Sequence, residues 1–166
     1  MEKPRILVLM GSDSDLPVLE KGLKFLREMD VPFFVDVASA HRNPEKTVEL
    51  ARTARERGFQ VIIAIAGMAA HLPGVIAAHT MLPVIGIPAG GGALQGIDAL
   101  LSIVQMPPGI PVATVGIDAA RNAAILALQI LSLGDKEIEK KLAGLKETLR
   151  QENEEKSKKV RGIIED

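Results

Sequence analysis

Three histidines occur in this chain of 166 residues, and two of them lie in loops suited to contact with a small molecule. His41 sits in Ser39-Ala40-His41-Arg42-Asn43-Pro44, beside an arginine. An imidazole with an unperturbed pKa of about 6.5 can give or take a proton near neutrality. A guanidinium can fork onto a phosphate or a carboxylate. Side by side they suit acid–base work on an anionic substrate, which typically contributes roughly 10²–10⁴-fold in rate. A loop histidine making only a structural hydrogen bond is the plainer alternative; the neighbouring loops favour function.

Gly11-Ser12-Asp13-Ser14-Asp15 is the first such neighbour. Glycine permits a tight turn, and serine hydroxyls with free backbone N–H groups at a helix start make an anion site. The same residues would equally well cap the helix that follows at Leu16-Pro17. Asp15 is itself an anion, so it fits a donor such as a sugar hydroxyl or an amine better than a phosphate. The other neighbour, Ala66-Gly67-Met68-Ala69-Ala70-His71-Leu72-Pro73-Gly74, is almost all small residues. It lets backbone approach a ligand and leaves room for a small apolar guest. His71 is a second polar contact there or caps the helix start. His79, mid-helix among Ala and Thr, reads as structural or interfacial. His41 and His71 lack a third metal ligand at recognisable spacing, so no metal site is expected.

The elements that carry these loops follow from hydrophobic patterning. Strands are expected at Arg5–Met10, Phe33–Val37, Val61–Ile65, Pro83–Ile87 and Val112–Val115. Helices are expected at Pro17–Met29, His71–Thr80, Leu94–Gln105 and Ala119–Leu133. A further helix, Pro44–Arg57, has Asn43 as N-cap and Gly58 as stop. Strands apolar on both faces and separated by helices indicate a parallel sheet covered on both sides. The expected fold is a three-layer α/β/α sandwich, a flavodoxin-like doubly wound parallel sheet with a C-terminal amphipathic helix. In that arrangement all three loops lie beyond the carboxyl ends of successive strands and converge on one cleft. Gly90-Gly91-Gly92 reads as a flexible loop at the same rim. Residues 1–166 are expected to form a single catalytic domain, with 1–134 the α/β core. Residues 135–166 are a C-terminal helix, carrying the stripe Ile138, Leu142, Leu145 and Leu149, and a solvated, fraying tail.

Composition narrows the function. A net charge of −1 argues against nucleic-acid or membrane-surface binding. With 2% aromatic residues, base-stacking platforms are nearly excluded. The lack of cysteine removes disulfides and thiolate chemistry and is compatible with a reducing cytoplasm, the expected location. Phe59 to Ile97 carries no charged residue, yet Gly and Pro break every long apolar run, so the stretch is buried in protein and not in lipid. Met1 to Pro4 lead straight into a strand-like run, and no signal peptide is expected. The helices after strands three, four and five carry only Asp98 and Arg121 as charged residues. Such weakly polar faces point to packing against other copies, a homo-oligomer. Two other classes fail on residues. A flavodoxin-type electron carrier would flank its flavin with aromatics, and a signalling receiver domain needs an acidic residue after strand three and a lysine after strand five.

GSDSD at 11–15, SAHR at 39–42, AGMAAHLPG at 66–74 and SIVQMPPGIPVATV at 102–115 resemble the signatures of the 5-(carboxyamino)imidazole ribonucleotide mutases of de novo purine biosynthesis. The resemblance runs from about Arg5 to Leu133. It implies a small-molecule ribonucleotide substrate, no cofactor and a homo-octamer. It also implies transfer of a carboxylate from the exocyclic amine to C4 of the imidazole. His41 matches the general acid–base. Ser12, Ser14, Asp15, Ser39 and Arg42 match substrate-binding positions and their neighbours. Gly67, Ala70, His71 and Leu72 match the wall around transferred carbon dioxide. A sister class carboxylates aminoimidazole ribonucleotide directly and carries Lys where Arg42 stands. Arg42 and the run Ala69 to Gly74 favour the mutase. Met68, where Gly is common, and Gly90–Gly92, in place of a more polar loop, depart from the pattern and leave direct carboxylation as the alternative.

Overall fold

A computed structural model describes residues 3–165. The elements in chain order are β1 (Ile6–Met10), α1 (Leu16–Glu28), β2 (Phe33–Val37), α2 (Pro44–Thr53), β3 (Val61–Gly67) and α3 (Leu72–His79). They continue with β4 (Val84–Ala89), α4 (Ile97–Val104), β5 (Ala113–Thr114), α5 (Ala120–Ser132) and α6 (Lys136–Glu165). The chain divides into two compact units after Ala127. The expected doubly wound sheet is present: five strands, every pair parallel, in the order β2-β1-β3-β4-β5.

Each sheet face is covered because the strands are apolar on both. Leu7, Leu9, Ile62 and Ala64 are buried in one cluster with Leu50 and Ala51 of α2, Ile76 of α3, and Ala99 and Ile103 of α4. Val8, Ile63 and Ile87, whose side chains alternate to the other face, gather with Leu19, Leu23 and Leu26 of α1 and with Ala120 and Ala124 of α5. Consecutive strands therefore send their helices to different faces at β1 and β3, which places the topological switch between those two neighbours.

Local chemistry explains the element boundaries. Asn43 caps α2, its side-chain oxygen accepting the Lys46 N–H at 3.1 Å. The regular helix stops at Thr53, four residues before the expected end, but turns continue. The Gly58 N–H donates to Arg55 O and the Phe59 N–H to Ala54 O, both at 3.0 Å, with Gly58 at φ +94. That pairing is the Schellman closure a glycine stop provides. β3 and β4 each run two residues past the expected end, because Ala66 and Gly67 stay in register with Pro88 and Ala89. β5 keeps only two ladder residues at the sheet edge, preceded by Pro107, Pro108 and Pro111, although the Val115 N–H still reaches Gly86 O at 3.1 Å.

In the second unit, α6 is one continuous helix to Glu165, where a fraying tail was expected. Its apolar stripe fades along its length: Ile138 and Leu142 are buried, Leu149 is exposed, and every residue from 146 to 163 is exposed. Pairs at helical spacing line this solvated end, among them Arg150 with Glu147 and Glu154, and such pairs support a helix without tertiary cover. Among the described residues no helix is long and apolar enough to cross a membrane.

Candidate active site

Where neighbouring strands send their connections to opposite faces, a crevice opens beyond their carboxyl ends. Here it lies above β1 and β3, with the loop after β2 closing the near side. A cavity of about 310 Å³ occupies the crevice. Gly11, Ser12, Ser14 and Asp15 line it from the first loop, and Ser39, Ala40, His41 and Arg42 from the second. Ala66 to Ala69, His71 and Leu72 complete it from the third. The three loops converge as expected.

The two loop histidines meet. His41 Nε2 lies 2.6 Å from His71 Nδ1, with the rings edge-to-face at 83°. One of these nitrogens donates and the other accepts, so the contact holds a single proton. It spans the end of β1, which separates the parent strands β2 and β3 in the sheet. Both imidazoles remain exposed on the cavity side. His71 is the residue before α3 but makes no side-chain capping bond; its ring turns toward His41.

Two local bonds shape the second loop. The Arg42 N–H donates to Ser39 Oγ at 3.2 Å, and the Asn43 N–H to Ser39 O at 2.9 Å. These tighten the turn and leave the Arg42 guanidinium without a bond among the described residues, at the cavity wall. Lys46, one turn into α2, ties the loop's two ends together. Its Nζ donates to Asp36 Oδ1 at 2.9 Å and to Val37 O at 2.8 Å. Sequence patterning alone gives no signal for that bond, since ten residues separate Lys46 from Asp36.

In the first loop, the expected capping of α1 is not made by a side chain, since Asp15 at its N-cap makes no capping bond there; the capping groups instead close a 3-10 turn over Asp13–Asp15. Ser12 Oγ accepts the Ser14 N–H at 3.3 Å and Asp15 Oδ2 accepts the Ser12 N–H at 3.1 Å, a reciprocal capping box. The Gly11 N–H goes to Ile65 O and the Asp15 N–H to Ser12 O. The N–H groups of Gly11, Ser12, Ser14 and Asp15 are therefore already paired. The Arg42 guanidinium is open to a phosphate, whereas the Ser12 hydroxyl donates to Asp13 Oδ1 at 3.1 Å and the Ser14 hydroxyl to Ser12 Oγ at 2.9 Å, so each serine must turn from its present bond to donate to one. Burial raises the pKa of Asp15 above the ordinary value, an effect partly offset by N–H donation from Ser12 and by the nearby Gly11 backbone. A half-buried carboxylate at a cavity wall favours a donor that replaces lost water.

Ala70 does not join the cavity; it is buried in the core beneath the third loop. His79 lies half-buried in a separate groove with Arg52 and Arg55. Met68, named in sequence only as a departure, projects at the cavity rim with 67% of its surface exposed.

A doubly wound sheet with a histidine pair and a guanidinium at its switch point defines an α/β protein equipped for acid–base chemistry on a small anionic ligand. Comparison with known proteins identifies the group. A family model described as AIR carboxylase matches residues 5–152, and the chain belongs to that family. It is 60% identical over 147 residues to N5-carboxyaminoimidazole ribonucleotide mutase of Pyrococcus abyssi, covering 89% of this chain and 84% of that one. It is 57% identical over 133 residues to phosphoribosylaminoimidazole carboxylase of Ogataea methanolica, covering 80% of this chain and 24% of that longer protein. Among solved structures, Treponema denticola PurE superposes with a TM-score of 0.84 at 31% identity, covering 92% of this chain and 95% of that one.

Proposed function

We propose that this chain is an N5-carboxyaminoimidazole ribonucleotide mutase of purine biosynthesis. It is an isomerase that moves a carboxylate from the exocyclic amine to C4 of the imidazole. One observation carries the reading: a hydrogen-bonded histidine pair stands between a hydroxyl and guanidinium wall and an alanine and glycine wall, in one cavity. The first wall suits the phosphate and ribose, the second suits a small apolar guest.

The chemistry then divides among named residues. Ser12, Ser14 and Arg42 hold the phosphate, Asp15 accepts from a ribose hydroxyl, and Ser39 fixes the turn that presents Arg42. His41 protonates the carbamate nitrogen, and the C–N bond breaks to give carbon dioxide and the free amine. C4 attacks the carbon dioxide, and His41 takes the C4 proton. One carboxyl group and one proton exchange places, with no change in oxidation state, so the balance requires neither a redox cofactor nor ATP. His71 holds the partner nitrogen of His41 and fixes the ring's orientation while the proton is in transit. Gly67 and Leu72 line the guest's side of the cavity, with Ala70 supporting it from the core.

The name of the Ogataea relative favours a second reading, direct carboxylation of aminoimidazole ribonucleotide. Initial-rate assays with each substrate separate the two. Turnover of the carboxyamino substrate without added bicarbonate is expected. Turnover only of aminoimidazole ribonucleotide at high bicarbonate overturns the mutase reading.

The same proposal extends to assembly, organisation and location. The protein works as a homo-octamer in the cytoplasm, with residues 1–134 as the catalytic core and 135–166 as its C-terminal helix. The support for assembly is an apolar stripe on α4: Leu94 just before it, then Ile97, Leu101 and Val104, each between 48% and 58% exposed. Sedimentation velocity checks it; a stable monomer overturns it.

A further inference from the structure

We propose that Met68 retains carbon dioxide in the site between the two halves of the reaction, a role that rests on the mutase reading above. Three observations place it there. Met68 lines the cavity and is largely exposed at its rim. Its backbone is left-handed, at φ +52, a conformation glycine adopts freely and methionine adopts at a cost. Two successive tight turns hold it so: the Ala70 N–H donates to Met68 O and the His71 N–H to Ala69 O, both at 2.8 Å. The second turn ends on His71, so the bonds that aim Met68 also set the histidine pair.

The side chain reaches toward the loop after β4. A Cβ built on Gly92 would lie 3.7 Å from Met68 Cγ. That loop offers no side chain of its own from Gly90 to Gly92. It is held by the Gly90 N–H donating to Asp118 Oδ1 at 2.7 Å and by Gln95 Nε2 donating to Gly92 O at 2.8 Å. The gap between the β3 and β4 loops is therefore Met68's to fill. An unbranched thioether with three rotatable bonds suits that task. It conforms to a small apolar guest and presents no proton and no strong nucleophile to it. Carbon dioxide carries no charge for the protein to hold, so shape and exclusion of water must keep it.

The step at stake is balanced. Protonation of the carbamate nitrogen and C–N cleavage release one carbon dioxide, and C4 either captures that molecule or loses it to solvent. The experiment supplies unlabelled carboxyamino substrate in buffer with ¹³C-bicarbonate and carbonic anhydrase. It reads label in the product carboxylate and free aminoimidazole ribonucleotide per product formed, at initial rates. Wild type is expected to give little of either. Met68→Ala, which keeps the backbone constraint but removes the thioether, and Met68→Gly are expected to give severalfold more of both. Met68→Leu is expected to restore retention. Ratios equal to wild type in both truncated variants overturn the proposal. An increase in Met68→Gly alone also overturns it, by assigning retention to the backbone. A wild type that consumes no carboxyamino substrate overturns the mutase reading itself, a result distinct from a wild type that turns over and leaks as its variants do.

Discussion

His41 is the residue whose loss is least replaceable. Its Nε2 faces His71 Nδ1 at 2.6 Å, and its ring stands exposed to the cavity, so its replacement removes no core contact. His41→Asn is expected to fold and to bind the ribonucleotide product, yet to lower kcat by about 10²–10⁴-fold, the usual value of a positioned acid–base. Thermal melting and product titration check the fold and binding; turnover near wild type would pass the role to His71. Asp15 gives a prediction with a definite pH sign. Burial raises its folded pKa above the ordinary 3.8. The folded state therefore favours protonated Asp15, a contribution present below 3.8 and lost as pH rises through the folded value. Asn at this position stays neutral, and its side-chain oxygen can still accept the Ser12 N–H. The stability of Asp15→Asn relative to wild type is thus expected to increase as pH rises from 3.8 through the raised value, then level off. Urea midpoints across that range decide it, and a pH-independent difference would contradict the burial argument. The same variant is expected to raise KM, because the ribose loses a charged acceptor.

The elements hold these residues through caps and close approaches. Asn43 accepts the Lys46 N–H and so starts α2 immediately after the loop that carries His41 and Arg42. Asn43→Ala is expected to cost about 1 kcal/mol, and also to raise KM, since the loop's C-terminal anchor loosens. A KM equal to wild type at reduced stability would show that Lys46 alone anchors the loop. On the other face of the sheet, a Cβ on Gly22 of α1 would lie 2.6 Å from the Ala120 carbonyl oxygen at the start of α5. Gly22→Ala must push these helices apart, at roughly 1–3 kcal/mol, and calorimetry is expected to show a lowered Tm. Such contacts mark the limit of what the sequence reveals. β2 is legible to the residue, since the aromatic and β-branched run Phe33–Val37 is bounded by Pro32 and the Ser39 loop. The ends of β3 and β4 are not, because their extra ladder bonds depend on which strands pair. The three loops are legible as neighbours, since parallel strands place their carboxyl ends together. The histidine contact is not, because it depends on His71 turning from its own helix toward a loop 30 residues earlier. The left-handed backbone of Met68 gives only an indirect sign, a bulky residue among alanines and glycines.

At the scale of the whole molecule, composition and surface pose one question. Phe59 to Ile97 carries no charge, and the buried strands β3 and β4 account for only part of it. Ile97, Leu101 and Val104 recur at helical spacing on the exposed side of α4, while Ala99 and Ile103 are buried on the other. A helix apolar on both sides needs cover on both, and the sheet supplies one. A second copy of the chain supplies the other in the proposed octamer. Leu101 lies midway along the stripe, and a carboxylate there would have to be desolvated without a partner. Leu101→Asp is expected to leave the far-ultraviolet circular dichroism of the protomer intact, because the residue touches solvent in the isolated chain. It is also expected to shift the sedimentation profile to smaller species at equal concentration. Activity measured on the dissociated species then separates two possibilities. Retained turnover would make each cavity complete within one chain. Turnover lost with assembly and regained at high protein concentration would mean that neighbouring copies hold the three loops in their working arrangement. An unchanged sedimentation profile would remove α4 from the contact and leave its apolar stripe as open surface.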